Sequence, residues 1–387
     1  MKIIYIFRSF AIIGGVEKIL INKMNYLSEK LGYDITVITY EQGLHPIAFP
    51  LSPKVKHIDL GIPFHTRYKY GLLKRFFIYI KMKHRFKKEI AHHVKLIKPD
   101  ITICTTYSFL DINAIIHLQD TSKKIIESHS AKMAIGKRSI QRRNLIFKLA
   151  SSIADRQLYR YIKRCDALVT LTQDDAKEWG AIKKAVIIPN MIANYPSEIK
   201  TLNNQKKVIS VGRLTEQKGY DMLIKVWELV NKIHPEWILE IYGEGEMKEA
   251  LLQEIKEKQL DSVITIHKPT KHIYEKYMES SIYVLSSRWE GFALVLLEAM
   301  SCAIPCIAFN CPYGASDIIE DGKDGIIVEN GNIKQLAEKI NFLIENEELR
   351  KQMGKRAREN VKKFLPNNVM SQWSELFLEL LKNKPNN

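Results

Sequence analysis

The chain has 387 residues, which is long enough for two domains with separate cores. Hydrophobic residues make up 46% and charged residues 26%, proportions that exclude a largely disordered chain. The net charge of +16 lies in the first half: residues 1–195 hold 33 Lys and Arg against 15 Asp and Glu, whereas residues 196–387 hold 26 against 28. This segregation indicates that the first half presents a basic surface with a specific use.

The apolar N-terminal segment is interpreted as a first buried strand and not as a secretion signal. Arg8 interrupts the segment, no small-residue cleavage site follows it, and Gly14-Gly15 opens a helical pattern. The chain has no stretch of about 18 apolar residues, so no membrane-spanning helix is expected. The five cysteines are odd in number and lie mostly in apolar segments, which predicts buried free thiols in a reducing compartment.

Short apolar runs alternate with helical patterns, which predicts an α/β protein with two parallel, doubly wound sheets. Strands are predicted at 3–7, 35–39, 101–104, 125–128, 168–171 and 186–189, and then at 208–211, 237–242, 263–267, 282–285, 306–309 and 325–328. The polar segment 194–207 marks a boundary. We therefore expect an N-terminal domain over 1–195, a second domain over 196–365 and a last helix within 366–387.

Ligands of such sheets bind beyond the carboxyl ends of the strands, where loops meet helix N-termini. Arg213 and Lys218 flank the turn after the strand 208–211. Gly243 and Gly245 follow the next strand and allow a close approach of the backbone to a ligand. By themselves, the two cations are equally typical of surface charges on a βα loop.

The segment after the strand 282–285 carries two carboxylates, Glu290 and Glu298. A helix predicted to begin near Ala293 has no Ser, Thr, Asp or Asn just before it to cap its first amides. Such amides offer a site for an anion, typically a phosphate, and the carboxylates suit the hydroxyls of a ribose and a sugar. An ordinary helix with two solvated glutamates is the alternative interpretation of this pair.

Four motifs, in this order along the chain, resemble those of retaining nucleotide-sugar glycosyltransferases of family 4, which have the GT-B fold. The motifs are Gly14-Gly15-Val16-Glu17, Val211-Gly212-Arg213-Leu214 with Gln217-Lys218-Gly219, Tyr242-Gly243-Glu244-Gly245, and the Glu290–Glu298 pair. The resemblance covers roughly residues 1–345. It implies two Rossmann-like domains that face a central cleft, the first binding the acceptor and the second the donor, with a terminal helix that returns to the first domain. It also implies a hexosyltransferase that uses a nucleotide sugar, with a UDP sugar favoured.

The resemblance also implies roles for residues of the second domain. Glu298 should accept hydrogen bonds from the ribose, and Glu290 should lie by the transferred sugar or its phosphates. Arg213 and Lys218 should stabilise the leaving diphosphate with the helix amides. No Asp-x-Asp occurs, so neither a metal nor another cofactor is expected. The expected donor site comprises Gly14, Gly15, Arg213, Lys218, Gly243, Gly245, Glu290, Gly291, Phe292, Ala293, Leu294 and Glu298.

Two features bear on which sugar is moved and where the acceptor binds. The family's Gly-Gly-x-Pro-Glu type stretch reads Tyr313-Gly314-Ala315-Ser316-Asp317 here, which leaves the sugar open. On the acceptor side we expect Glu17, Asp111, Asn113 and His129. His129 follows the strand 125–128, where the family often has a histidine, and it could orient a sugar hydroxyl as a catalytic residue. It is equally consistent with an ordinary solvated histidine.

The stretch 67–98 contains eleven Lys or Arg and one acid, with aromatic residues among the charges, and 132–164 repeats this composition. A basic amphipathic helix with exposed aromatic residues is typical of binding at an anionic membrane surface. The alternative is that its apolar stripe packs on the sheet while its charges are solvated. Nucleic-acid binding is not expected, because no nucleic-acid module appears.

Together these features predict a retaining transferase that acts on a polyprenyl-diphosphate-linked or polysaccharide acceptor in surface polysaccharide synthesis. It would form an α-linkage at the cytoplasmic, inner face of the membrane. Two alternatives stay open: a phosphorylase or nucleotide-sugar epimerase with the same architecture, or a basic membrane-surface scaffold without activity.

Overall fold

The computed structural model describes residues 1–129, 145–180, 182, 184–199 and 205–382. It divides into two compact units. The N-terminal unit comprises Met1–Leu171, Asp175–Met191 and Pro366–Asn387, and the C-terminal unit comprises Thr172–Asp174 and Ile192–Leu365. Residues 132–144 of the second basic stretch, Ser130 and residues 200–204 of the polar boundary segment lie outside the described residues.

The N-terminal unit contains a seven-stranded parallel sheet with the order β3-β2-β1-β4-β5-β6-β7. The strands are β1 Lys2–Ile6, β2 Asp34–Thr39, β3 Lys56–Asp59, β4 Ile101–Thr105, β5 Lys123–Glu127, β6 Ala167–Thr170 and β7 Ala185–Ile187. The central strands are apolar because helices cover both faces of the sheet. The sequence analysis missed β3, a short edge strand with a polar, partly exposed sequence that gives no apolar run.

Helices of the N-terminal unit flank this sheet. They are α1 Gly15–Glu29, α2 Leu72–Ile97, α3 Phe109–Ile116, α4 Leu145–Ile162, α5 Gln173–Trp179 (whose first two residues fall in the C-terminal unit) and α12 Pro366–Lys382. The final helix α12 buries Met370, Trp373 and Phe377 in the same core as Leu20 and Met24 of α1. The last helix is therefore part of the N-terminal unit's core.

The C-terminal unit contains a six-stranded parallel sheet with the order β10-β9-β8-β11-β12-β13. The strands are β8 Lys207–Val211, β9 Ile238–Tyr242, β10 Ile264–His267, β11 Ile282–Leu285, β12 Cys306–Phe309 and β13 Gly325–Val328. The helices are α6 Tyr220–Asn231, α7 Lys248–Glu257, α8 Ile273–Met278, α9 Leu294–Ser301, α10 Ile333–Glu345 and α11 Glu347–Asn360. Trp227, Leu239 and Val284 lie in its core.

The two sheets confirm the predicted doubly wound α/β architecture, and each reverses its strand order once. The reversal lies between β1 and β4 in the first sheet and between β8 and β11 in the second. In open α/β sheets, ligands bind beyond the carboxyl ends of the strands at such a reversal. The loops that follow these four strands are therefore the places where each unit can hold a ligand.

Two further predictions from composition can be compared with the structure. All five cysteines are buried and free, as predicted. Within the described ranges, no helix combines the length and the apolar character that crossing a bilayer requires.

Candidate active site

The loop after β8 packs directly against the loop after β11. Gly219 has φ +65°, a left-handed conformation that favours glycine, and an added Cβ would lie 2.2 Å from the carbonyl oxygen of Ser286. The Ser286 hydroxyl donates to the carbonyl of Lys218 at 3.0 Å. This close contact fixes Lys218, the last residue of a 3₁₀ turn at Glu216–Lys218, beside the end of β11.

Lys218 and Glu290 form an ion pair at this junction. Lys218 Nζ lies 2.7 Å from Glu290 Oε1, and the two side chains are only 14% and 6% exposed. The Ser287 hydroxyl donates to the same oxygen at 2.5 Å. Glu290 is therefore held by one cation and one hydroxyl, and the structure brings together two of the residues selected from the sequence.

A second ion pair braces the same two loops, and sequence reasoning missed it. Arg288 donates from both terminal nitrogens to Asp221, at 2.8 and 2.6 Å, and also to the carbonyl of Glu216 at 2.8 Å. The hydrogen bond and positive charge of Arg288 lower the pKa of Asp221. The bidentate geometry fixes the loop after β11 relative to the start of α6.

Helix α9 begins as predicted without a side-chain cap. Its N-cap is Ala293, no side chain accepts a hydrogen bond from its first turn, and the helix starts at Leu294. Phe292 and Ala293 are buried, and Leu294 is partly buried. The amides of Leu294 and Leu296 donate to the carbonyls of Phe292 and Ala293, each at 2.9 Å, so what this helix start offers an anion is chiefly the positive end of the helix dipole.

Glu298 lies further along α9, in a cluster of tyrosines. The Tyr277 hydroxyl donates to Glu298 Oε2 at 3.2 Å. Burial, and then the negative charge of Glu298, raise the pKa values of Tyr277 and Tyr274. Both tyrosines therefore stay neutral, and Tyr277 is a hydrogen-bond donor that orients the Glu298 carboxylate.

The other residues selected in the C-terminal unit have distinct environments. Arg213 is exposed and, among the described residues, has no ion-pair partner. A Cβ on Gly243 would lie 1.9 Å from the carbonyl oxygen of Gly212, and one on Gly245 would lie 2.4 Å from that of Leu214. These two glycines are therefore required by the packing of neighbouring loops. A Cβ on Gly314 would lie 3.0 Å from Glu290 Cβ, so the altered stretch packs on Glu290.

In the N-terminal unit, the glycine motif forms the start of α1. Gly14 is the N-cap, with an extended backbone, and Gly15 has no atom within 4 Å of an added Cβ. A Cβ on Gly14 would lie 2.1 Å from Glu17 Oε2, so the Glu17 carboxylate folds back over the helix start. This position resembles that of the glutamate in a capping box.

His129 belongs to a buried cluster after β5. His129 Nε2 lies 2.8 Å from Glu127 Oε2, and Lys23 of α1 forms an ion pair with the same carboxylate oxygen. The three side chains are 3%, 2% and 4% exposed. His129 is therefore not a solvated histidine.

Asp111 and Asn113 are buried in the first turns of α3. The Ser108 hydroxyl donates to Asp111 Oδ1 at 2.8 Å, while Asp111 Oδ2 and Asn113 Oδ1 have no hydrogen-bond partner among the described residues. Burial raises the pKa of Asp111 to about 7, although the hydrogen bond from Ser108 opposes the rise. Within the described chain, no group of three or more His, Cys, Asp or Glu side chains is arranged to hold a metal ion.

Comparison with known proteins identifies the class to which this fold belongs. Two parallel Rossmann-like sheets with these loops have the GT-B fold of glycosyltransferases. A mutant of S. aureus TarM, solved in complex with Fondaparinux, alpha-GlcNAc-glycerol and UDP, superposes with a TM-score of 0.74 at 17% identity, over 97% of this chain and 99% of that one.

The sequence relatives include glycosyltransferases too. Residues 192–360, nearly the whole C-terminal unit, match the family model for glycosyl transferases group 1. An uncharacterised glycosyltransferase of Haemophilus influenzae is 28% identical over 363 residues, 93% of this chain and 95% of that protein. The chain is therefore an enzyme, a glycosyltransferase whose C-terminal unit matches the family model for glycosyl transferases group 1.

A Campylobacter jejuni relative has a more specific name. It is called GalNAc-alpha-(1->4)-GalNAc-alpha-(1->3)-diNAcBac-PP-undecaprenol alpha-1,4-N-acetyl-D-galactosaminyltransferase. It is 24% identical over 384 residues, 95% of this chain and 96% of that protein.

Proposed function

We propose that this chain is a retaining, metal-independent glycosyltransferase of surface polysaccharide synthesis. It moves a hexose or N-acetylhexosamine from a UDP sugar to a lipid-linked or polysaccharide acceptor and forms an α-linkage. The observation that carries this proposal is the Lys218–Glu290–Ser287 cluster, which lies just before the uncapped start of α9.

The physical argument concerns the leaving group. When the bond between the anomeric carbon and the phosphate oxygen breaks, the departing nucleoside diphosphate gains negative charge, and this charge must be stabilised in the transition state. Lys218 is a fixed cation, Arg213 is an exposed cation on the same loop, and the amides of α9 add about half a positive charge. These groups supply the stabilisation that a divalent metal supplies in other transferases.

The transfer step then needs positioning more than covalent chemistry. The acceptor oxygen attacks the anomeric carbon on the face that the diphosphate leaves, and the acceptor proton passes to the departing phosphate oxygen. In this proposal Glu290 accepts hydrogen bonds from the transferred sugar, and Glu298, oriented by Tyr277, accepts them from the ribose. Each of these two residues contributes by holding the donor so that its anomeric carbon is placed for attack.

The names of the similar proteins support the choice of substrates. The TarM complex contains UDP, and the name of the Campylobacter jejuni relative gives its acceptor as an undecaprenol-diphosphate-linked glycan. A UDP-sugar donor and a polyprenyl-diphosphate-linked acceptor are therefore the first substrates to test.

A thermal-shift screen against UDP, GDP and ADP sugars in EDTA tests the donor. A ligand that binds the native state raises its apparent stability by mass action, by about 2.7 kcal/mol at 100 times its Kd. We expect a rise in melting temperature with a UDP sugar. Glu298→Gln should reduce that rise, whereas Glu338→Gln, at an exposed position of α10, should leave it unchanged. Equal responses to all three nucleotides, or to none, would contradict the donor assignment.

We also propose that the first two turns of α2 bind an anionic membrane surface at the cytoplasmic face. The exposed apolar residues of this segment are Leu72 (83%), Leu73 (80%), Phe76 (58%), Phe77 (67%) and Ile80 (47%). Phe86, Ile90 and Val94, further along α2, are buried in the core. The C-terminal part of α2 therefore packs on the core, whereas its first turns present an apolar face that the described residues leave exposed.

The charges around this apolar face fit a bilayer with anionic headgroups. Residues 60–88 contain nine Lys and Arg and no Asp or Glu. Aromatic side chains enter the headgroup boundary, and each nearby cation contributes about 1 kcal/mol against an anionic surface.

Flotation of the protein with phosphatidylglycerol vesicles at low and high salt tests this surface. We expect binding at low salt that is weakened by salt and lost in the Phe76→Ser/Phe77→Ser variant. Ile233→Ser, at an exposed position of the C-terminal unit, is the matched control. Wild-type protein that stays unbound at low salt would remove the membrane proposal without affecting the donor chemistry.

A further inference from the structure

The buried cluster that contains His129 extends beyond the residues selected from the sequence. Glu127 Oε2 is shared between Lys23 of α1 and His129 Nε2, which lies 2.8 Å away. Lys23 Nζ also lies 4.0 Å from the ring centre of Trp373, on the last helix α12, and 5.3 Å from that of Tyr5 on β1. A chain of contacts therefore joins the last helix to the histidine through one cation and one carboxylate.

The cluster is closed and has little room for water. Lys23, Glu127, His129 and Trp373 line one cavity of about 20 Å³, which has space for about one water molecule. The other walls of the cavity are mostly apolar, for example Ile19, and Asn190 also lines it. In such surroundings the electrostatic contacts act with little screening, so each charge strongly affects its neighbours.

The charge states follow from these contacts. Burial would raise the pKa of Glu127, but the charges and hydrogen bonds of Lys23 and His129 together lower it, so the carboxylate is ionised. Burial lowers the pKa of Lys23, and Glu127 partly offsets this effect. Other titratable groups that face the cluster are Tyr5 of β1 and Cys104 of β4, and burial and then nearby carboxylates raise the pKa of each well above its usual value.

A carboxylate that accepts a hydrogen bond from one ring nitrogen fixes both the orientation and the tautomer of a histidine. Here Glu127 accepts from Nε2, so Nδ1 is the remaining polar atom of the ring. It is buried, and none of the described residues makes a hydrogen bond with it. The Lys23 ammonium contacts the same carboxylate oxygen, so its positive charge lies beside the ring.

We propose that Lys23 and Trp373 are positioning residues for sugar transfer, which act through Glu127 to fix the orientation and the proton position of His129. The ring of Trp373 holds the Lys23 ammonium at the carboxylate. The terminal helix thereby sets the state of a histidine located at the carboxyl end of β5. This inference rests on the proposed function for the reaction, but its electrostatic part can be measured without turnover.

The test is an NMR titration of His129 in full-length protein with labelled histidine, assigned with His129→Gln. Lys23→Met removes a positive charge beside the ring, so we expect the pKa of His129 to rise by about one unit or more. Glu127→Gln should lower it. Trp373→Leu should shift it in the same direction as Lys23→Met, by less, and Trp373→Phe should restore most of the wild-type value because it keeps an aromatic ring.

Lys124→Met is the matched control. Lys124 is also a buried lysine, its partner is Asp120, and it lies on the same strand as Glu127. Its loss should lower stability without moving the His129 titration. If Lys23→Met does not fold, Trp373→Leu and Trp373→Phe still decide the question, because they keep both charged residues, Lys23 and Glu127.

The pH profile of kcat connects the titration with transfer. We expect the part of this profile in which kcat changes with pH to move with the pKa of His129 in Lys23→Met and Trp373→Leu. An unchanged His129 titration in both variants, or an equal shift in Lys124→Met, would overturn the proposal. If the titration shifts but the wild-type protein transfers no sugar, the proposed function fails and the control of His129 by Lys23 stands on the NMR result alone.

Discussion

Replacing Lys218 by Met separates the stabilising role of the Lys218–Glu290 pair from its proposed catalytic role. The two side chains are 14% and 6% exposed, and their charged atoms lie 2.7 Å apart. Removing one partner of a buried ion pair costs about 3–5 kcal/mol, because the other charge stays buried. Ser287 still donates to Glu290, so we expect the lower end, about 3 kcal/mol. Losing a cation that faces the leaving group should reduce kcat by about 10²–10³.

The double variant Lys218→Met/Glu290→Gln makes the prediction specific. It leaves no unpaired charge, so its free energy of unfolding should exceed that of Lys218→Met alone, while its kcat stays low because the cation is still missing. Lys207→Met is the control, since Lys207 pairs with Glu240 at 3.1 Å in the same unit but at the start of β8. It should lose some stability and keep full activity.

Urea unfolding gives the stabilities, and release of nucleoside diphosphate from the donor gives kcat. If the stability losses of Lys218→Met and of Glu290→Gln add up to the loss in the double variant, Lys218 and Glu290 do not interact in solution. Recovery of kcat in the double variant would show that the loss in Lys218→Met came from a damaged fold. Either result would refute the reasoning.

Three further predictions concern single residues. Arg213→Ala should change the free energy of unfolding by no more than about 0.5 kcal/mol from the wild-type value, because Arg213 is exposed. It should reduce kcat about 100-fold in the same diphosphate-release assay, and near wild-type activity would contradict its role. Gly219→Ala should lower the free energy of unfolding by more than about 2 kcal/mol in urea, because Gly219 has φ +65° and the new Cβ would clash with the Ser286 carbonyl. Gly15→Ala should not lower the free energy of unfolding, because there is open space around Gly15. Folded Asp111 keeps its proton up to about pH 7, whereas the unfolded chain loses it near pH 4, so stability should fall as pH rises through this window. Asp111→Asn should remove about 3 kcal/mol of the fall between pH 5 and 8, and an unchanged slope would contradict the raised pKa.

Much of the fold follows from local sequence signals. Buried parallel strands must be apolar along their whole length, so runs such as 282–285 were predicted with the bounds that the structure gives. Strand β3 was missed because an edge strand can be polar and has only one neighbour. Its pairing depends on the strand beside it and not on its own composition.

The site was predictable where its residues follow strands, and only there. Lys218 and Glu290 are 72 residues apart, and the sequence placed each at a strand end but did not show that they form an ion pair. The Arg288–Asp221 pair and the Tyr277 partner of Glu298 gave no sequence signal, because they depend on how neighbouring loops and helices pack. Similarly, only the three-dimensional structure brings Trp373 to Lys23, 350 residues earlier in the chain.

The most direct test of metal-independent stabilisation of the leaving group is donor turnover in a chelator. The purified protein is treated with EDTA, and release of UDP from a UDP sugar is followed with and without added Mn²⁺ or Mg²⁺, for the wild type and for Lys218→Met. Unchanged wild-type turnover in EDTA, with a loss of about 100-fold or more in Lys218→Met, is the predicted result. Turnover that disappears in EDTA and returns with the metal would contradict the account.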